Sequence, residues 1–145
     1  MIEVKFYDEV DDKLLKYAVI AAKTNNKWVF CKHKERSTYE IPGGKREQGE
    51  KILDTAKREL YEESGALKYD IKPICVYSVT VSDNLKAEET FGMLYFANVF
   101  VFEKELHNEI EKIIITENLV DKWTYPLIQP KLIEEAGRRG YIKIN

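Results

Sequence analysis

Residues 44–66 read GKREQGEKILDTAKRELYEESGA, and the fold turns on them. From Glu50 to Ser64 there is no glycine or proline, and good helix formers dominate. Gly65 then supplies a stop. Leu53, Ala56 and Leu60 recur at helical spacing, which predicts an apolar stripe facing a core. Glu59, Glu62 and Glu63 stand at i, i+3 and i+4, so they share one face bordering that stripe. Carboxylates that close repel one another, which destabilises a helix or raises a pKa. A divalent cation removes the conflict. Oxygen donors alone suit Mg²⁺ or Mn²⁺ rather than a thiolate-seeking metal, and Mg²⁺ takes its remaining ligands from water and substrate phosphates. The spacing therefore predicts a place where a pyrophosphate meets a metal. Arg58 is placed to orient Glu59 or to hold a phosphate oxygen.

Upstream, Ile41-Pro42-Gly43-Gly44-Lys45 leads into the helix. Paired glycines let a backbone come close to a ligand and adopt positive φ. Lys45 lies near enough to meet a phosphate. The segment is not a P-loop, because G-x-x-x-x-G-K-[ST] is absent. Glu50 is out of phase with the carboxylate face and reads as helix-start structure, with a secondary role toward an outer metal. Lys32, His33, Lys34, Arg36 and Arg46 flank the stretch as a basic run, which is either a solvated loop or a contact to substrate. Cys31 and Cys75 fall in strand-like apolar runs without metal-ligand spacing and are expected to be buried free thiols. His33 and His107 are too separated for a histidine metal site.

The chain has 145 residues, enough for one domain with a real core, taken as residues 1–145. A formal net charge of −2 gives no global attraction to nucleic acid or membrane. No run of 18 apolar residues and no signal-peptide pattern occurs, so the expected setting is the cytoplasm. Strands are predicted at residues 2–7, 16–22, 28–32, 71–81 and 90–102, the last two forming a hairpin across the polar loop 82–89. A short strand is expected at 113–115 and a final helix at 126–137, with Pro130 near its first turn. This order suits an α/β fold, a mixed central sheet with helices on both faces.

Taken together, Gly44, Glu50, Arg58-Glu59-Leu60, Glu62-Glu63 and Gly65-Ala66 match every defined position of the Nudix box. Seven demanded letters at roughly 6% usage each make a chance match a matter of about one chain in 10⁷. The chain resembles the Nudix hydrolases, which cleave nucleoside diphosphates linked to another group. The resemblance implies an α/β/α sandwich and a metal held by the Gly43 carbonyl, Glu59, Glu62 and Glu63. It implies catalytic roles for Arg58, Glu59 and Glu62. The general base in such enzymes is a box glutamate or an acid from a distant loop. Glu109 and Glu111, before residue 113, match the distant-loop acid of MutT-type members by position, and Glu88 and Glu89 in the hairpin loop are the other candidates.

The entry Tyr39–Lys45 looks like the MutT branch, which implies a nucleoside triphosphate, with 8-oxo-dGTP foremost. An RNA 5′ end, ADP-ribose or a dinucleoside polyphosphate are the alternative substrates, and a non-catalytic nucleotide-binding domain is the alternative class. MutT-type enzymes place a base-reading Asn before the last helix. Here that region is Tyr125-Pro126-Leu127-Ile128-Gln129-Pro130, and Gln129 stands as the substitute. Phe6, Phe91 and Tyr95 are aromatics available to stack a base, although most belong to a core.

Overall fold

Alternation in one strand organises the molecule. In the computed structural model, which describes residues 1–83, 85–106 and 109–142, Ala18, Ile20 and Ala22 pack on one side of the sheet and Val19 and Ala21 on the other. These residues belong to β2 (Leu15–Thr24). A strand buried on both faces reads as a continuous apolar run, which is what residues 18–22 are. Around it stand β1 (Ile2–Tyr7), β3 (Lys27–His33), β4 (Gly43–Lys45), β5 (Ala66–Ser82), β6 (Ala87–Phe102) and β7 (Ile110–Thr116). Helix α1 (Ile52–Ser64) covers one face and α2 (Gln129–Arg138) the other.

The sheet runs β1-β5-β6-β2-β3-β7, with β4 also paired to β2. Among the described strands β2 and β6 run parallel and the other pairs are antiparallel. The expected β5–β6 hairpin forms, with register from Ala66↔Phe102 to Ser82↔Ala87. Asn25 and Asn26 turn β2 into β3 with φ of 49° and 63°, values that asparagine tolerates better than most residues.

Beyond that turn β2 and β3 separate, and this separation positions the site. Their pairing covers only Lys23↔Trp28 and Thr24↔Lys27. Residues 40–45 then wedge between them. Cys31 and Glu40 exchange backbone hydrogen bonds of 2.8 and 3.0 Å, the Ile20 N–H donates to the Pro42 carbonyl at 2.8 Å, and β4 pairs with Tyr17–Val19. The two glycines are there for space rather than for positive φ. Residues with positive φ are Asn25, Asn26, Gly49, Gly65 and Gly140. A Cβ on Gly43 would stand 2.7 Å from the Ala18 carbonyl oxygen, and one on Gly44 would overlap the Glu59 carboxylate.

Helix α1 ends as expected at Gly65, whose φ of 77° lets its N–H donate to the Tyr61 carbonyl at 2.8 Å. Its start is Ile52, with Asp54 accepting the Lys51 N–H at 3.3 Å. The buried stripe is Ile52, Ala56 and Leu60 rather than Leu53, which is 39% exposed. Leu53 is one residue off the i, i+4 series, about 100° around the helix. Truncating the fully buried Leu60 to alanine should cost about 2–5 kcal/mol. On the opposite face Leu132, Ile133 and Ala136 of α2 pack against Phe30, Tyr77 and Leu94. Helix α2 starts at Gln129 rather than at residue 126, with Pro130 in its first turn. Phe6, Phe91 and Tyr95 all pack with the two cores. Among the described residues no helix is long and apolar enough to cross a membrane.

Candidate active site

Arg58 is the hub of the charged face of α1. Its Nε and Nη2 donate to the two Glu50 oxygens at 2.7 and 3.0 Å. Its Nη1 donates to Glu59 at 2.6 Å and, more loosely, to Glu62 at 3.4 Å. Nη2 also reaches the Lys45 carbonyl at 3.0 Å, tying the helix to β4. A planar guanidinium suits this forked task, which a lysine would not perform. Glu50 further accepts the Glu47 N–H and the Thr55 hydroxyl, so it anchors the segment entering the helix. Arg58 above all, then the Glu47 N–H, holds the Glu50 carboxyl down to about 2.

Glu59, Glu62 and Glu63 lie on one face of α1 as their spacing predicts, but in unequal settings, and the three donors found within 4.8 Å of one another among the described residues are those of Glu63, Cys31 and His33 instead. Glu63 is buried, and Glu62 is 41% exposed along its side chain. Burial is the main force pushing the Glu63 carboxyl up to about 8, with Glu59, Glu40 and Glu62 adding to it and the Gly43 N–H, donating at 2.8 Å, opposing it. Burial also raises Glu59, against the pull of Arg58. A single arginine thus leaves this face short of positive charge. The deficit and the all-oxygen donors fit a hard divalent cation. Gly43 contributes its N–H to the Glu63 carboxylate, and Gly44 leaves the space that Glu59 fills.

The acids considered as general base separate clearly. Glu111 lies within β7, not in a loop, and pairs with Lys32 at 2.9 Å, which holds its carboxyl low. Glu88 and Glu89 are likewise part of β6. Glu89 accepts from Ser78 and Tyr7, which lower its carboxyl. Glu109 precedes β7, is 85% exposed along its side chain, and comes within 3.8 Å of His33 Nδ1. The other ring nitrogen of His33 stands 2.9 Å from Glu63, so one imidazole separates Glu109 from the carboxylate face.

Three cations of the basic run are spent on acids of the same chain, while Lys34 is exposed. Lys32 pairs with Glu111, Arg36 with Glu40 at 2.7 Å, and Arg46 with Asp12 at 3.0 Å. Cys31 and Cys75 are buried free thiols as expected. Cys31 nevertheless lies with His33 and Glu63 in one cluster, which spacing between the cysteines does not reveal. The signal present in the sequence was Cys31-x-His33, which a strand sends to a single face. His107 lies outside the described residues.

A cavity of about 350 Å³ opens beside Gly43 and Gly44, lined by Tyr17, Val19, Glu40, Ile41, Tyr77, Val79, Thr90, Tyr125, Ile128, Gln129 and Leu132. Gln129 is buried there, with Oε1 accepting the Ile41 N–H at 2.9 Å. A polar groove of about 420 Å³ includes Lys13, Lys16, Lys45 and Glu50. Lys45 itself is exposed.

The sequence profile of the NUDIX domain matches residues 14–140. "Putative 8-oxo-dGTP diphosphatase YtkD" of Bacillus subtilis (strain 168) is 29% identical over 104 residues, covering 72% of this chain and 63% of that protein. The match therefore spans less than two thirds of that relative's length. Among solved structures, the Bacillus subtilis pyrophosphohydrolase BsRppH superposes with a TM-score of 0.78 at 22% identity, over 98% of this chain and 93% of that one. A MutT NUDIX hydrolase from Burkholderia pseudomallei gives 0.63 at 20% identity, over 82% and 95%. At such identities the superpositions speak to the fold: an α/β/α sandwich around a mixed seven-stranded sheet.

Proposed function

The chain belongs to the Nudix family of pyrophosphate-bond hydrolases, and on that premise we propose that it splits a nucleoside triphosphate, 8-oxo-dGTP foremost, into monophosphate and pyrophosphate. One juxtaposition supports this reading above others. The Gly43–Gly44 backbone has an under-compensated carboxylate face on one side and an apolar, tyrosine-bearing cavity on the other. A molecule with a polyphosphate at one end and a flat base at the other matches both sides.

Glu59, Glu62, Glu63 and the Gly43 carbonyl would hold Mg²⁺ or Mn²⁺, which when bound supplies charge neutralisation for the phosphates. Arg58 fixes the Glu59 carboxylate. Lys45, exposed at the rim, offers its ammonium to a phosphate oxygen. The base enters the cavity between Tyr17 and Tyr125, where the Gln129 amide nitrogen is left to meet an acceptor on its edge. Glu109 takes the proton of the attacking water, because it is exposed and stands one imidazole away from the carboxylate face, whereas Glu111 is held by Lys32 and Glu89 by Ser78 and Tyr7. Attack falls on the β-phosphorus.

A second reading, an RNA 5′ end, draws support from Lys13, Lys16 and Lys45 in the neighbouring groove, which could follow a chain of phosphates. The deciding experiment is a panel of 8-oxo-dGTP, unmodified triphosphates, triphosphorylated RNA, ADP-ribose and dinucleoside polyphosphates, run with Mg²⁺ and with EDTA. The expected result is EDTA-sensitive release of pyrophosphate with 8-oxo-dGTP as best substrate, and ¹⁸O from labelled water in the pyrophosphate. Label in the monophosphate overturns β attack, RNA as the best substrate selects the second reading, and full turnover in EDTA removes the metal reading.

A further inference from the structure

Behind the carboxylate face lies a second, chemically different set of donors. Strand β3 sends Cys31 and His33 to the same side of the sheet, and α1 lays Glu63 over them. One ligand atom from each of the three lies within 4.8 Å of the others. The cluster is sheltered: Cys31 is fully buried, and the His33 and Glu63 side chains are 18% and 9% exposed. The imidazole Nε2 is buried without a hydrogen-bond partner; Glu63 Oε2 approaches to 2.9 Å, but off the direction of a ring N–H bond. The Cys31 thiol makes only a 3.4 Å contact to the Glu40 carbonyl. A buried, unpartnered imidazole nitrogen beside a thiol and a carboxylate is costly unless something occupies the space between them.

Sulfur, imidazole nitrogen and carboxylate oxygen form a donor set for Zn²⁺ or Co²⁺, not for Mg²⁺. Tetrahedral bonds of about 2.3 Å to sulfur and 2.0–2.1 Å to nitrogen or oxygen put donors roughly 3.3–3.6 Å apart, so the widest separations, within 4.8 Å, need to close by up to about 1 Å while the 2.9 Å His33–Glu63 approach opens slightly. Glu40, whose Oε2 is 3.8 Å from His33 Nε2, stands ready as a fourth ligand.

We propose that Cys31, His33 and Glu63 bind a thiolate-preferring divalent cation of the Zn²⁺ type, and that its binding withdraws Glu63 from the hydrolytic site and stops turnover. On binding, the Cys31 S–H bond breaks and its proton leaves to solvent, any proton on the Glu63 carboxyl leaves likewise, and the thiolate sulfur, the imidazole nitrogen and the carboxylate oxygen bond to the metal. The second half of the proposal rests on the assignment of Glu63 to hydrolysis; the first half does not.

The test begins with Co²⁺ added to the intact, metal-free protein. The expected result is a near-ultraviolet thiolate-to-cobalt charge-transfer band with tetrahedral visible bands, bleached by Zn²⁺ and absent from Cys31→Ala. His33→Gln, at a partly exposed position, repeats the test should Cys31→Ala fail to show a native circular dichroism spectrum. No thiolate band in the wild type, or the same band in folded Cys31→Ala, overturns the site. In hydrolysis assays with Mg²⁺, Zn²⁺ should inhibit the wild type, and Cys31→Ala should need about 10–100-fold more Zn²⁺ for the same inhibition. Equal inhibition of both forms overturns the link to turnover, and the cobalt spectrum separates that outcome from failure of the hydrolase reading.

Discussion

Glu50, just before α1, and Glu63, in its last turn, carry the same group and end in opposite electrostatic states. Glu50 receives both arms of Arg58, a hydroxyl and a backbone N–H, and its carboxyl falls to about 2. Glu63 receives one backbone N–H, is buried among Glu59, Glu40 and Glu62, and rises to about 8. The contrast lies within one motif, and on the proposed function it separates a structural acid from a metal-binding one. Where the chain supplies its own counter-charge, an acid holds the fold together. Where it leaves a deficit, the acid is left under-compensated, and the proposed function gives it to a cation arriving from solution.

The largest effect that could break this contrast is catalytic. Glu62→Gln and Glu63→Gln should each lower kcat by about 10³-fold or more with the circular dichroism spectrum retained, because the amide keeps the shape and loses the charge. Glu50→Gln should retain far more of its kcat. An equal loss in steady-state assays would place Glu50 among the metal ligands and dissolve the distinction.

Next comes the base. Glu109→Gln should cost about 10²-fold in kcat, while Glu111→Gln, already neutralised by Lys32, should cost less than about fivefold. Matching losses in single-turnover rates would move the role away from Glu109.

On stability the two acids should exchange places. Glu50→Gln leaves Arg58 without its main partner and should cost about 1.5–3 kcal/mol by urea unfolding. Glu63→Gln, measured in EDTA at pH 8, should instead match or exceed the wild type, since it removes an uncompensated buried charge. A large loss of stability in that variant would mark Glu63 as structural.

The smallest effect is the pH dependence of that stability without metal. The Glu63 carboxyl is raised above its ordinary value of 4.5, so the folded state favours its protonated form. Its contribution is complete below pH 4.5 and is lost as pH rises toward 8. Glu50 is depressed, so its contribution is present above pH 4.5 and lost as pH falls toward 2. Melting curves in EDTA should show wild type and Glu63→Gln together at pH 4 and separating by several degrees at pH 8. Glu50→Gln should diverge from wild type at neutral pH and converge toward pH 2. The reverse pattern would mean that the two environments have been misread.

Much of this was legible before any coordinates. Helix, stop and carboxylate spacing all follow local rules, and Glu59, Glu62 and Glu63 share one face of α1 because residues at i, i+3 and i+4 are neighbours on a helix. Strand identities were legible from apolar runs, though β5 extends back to Ala66 and β7 from Ile110 to Thr116. Three features were not legible because long-range packing decides them. The Gly43–Gly44 pair reads as a place for close approach to a ligand and for positive φ, yet it is a short strand wedged against β2 with no room for a Cβ and without positive φ. Leu53 looks like core, yet the phase of burial is set by Ile52, Ala56 and Leu60. Cys31, His33 and Glu63 come together only because β3 passes beneath α1, and no spacing rule links residues 31 and 63.

The most direct test of the central claim is calorimetric titration of Mg²⁺ into the metal-free protein at pH 7, repeated in buffers of different ionisation enthalpy. The account predicts that wild-type protein binds Mg²⁺ and releases protons, because Glu63 holds one until the cation displaces it. Glu63→Gln should bind at least about tenfold more weakly and without that release. Equal affinity in the two proteins, with no proton released by either, would contradict the claim that the charge deficit at this end of the helix is the metal site.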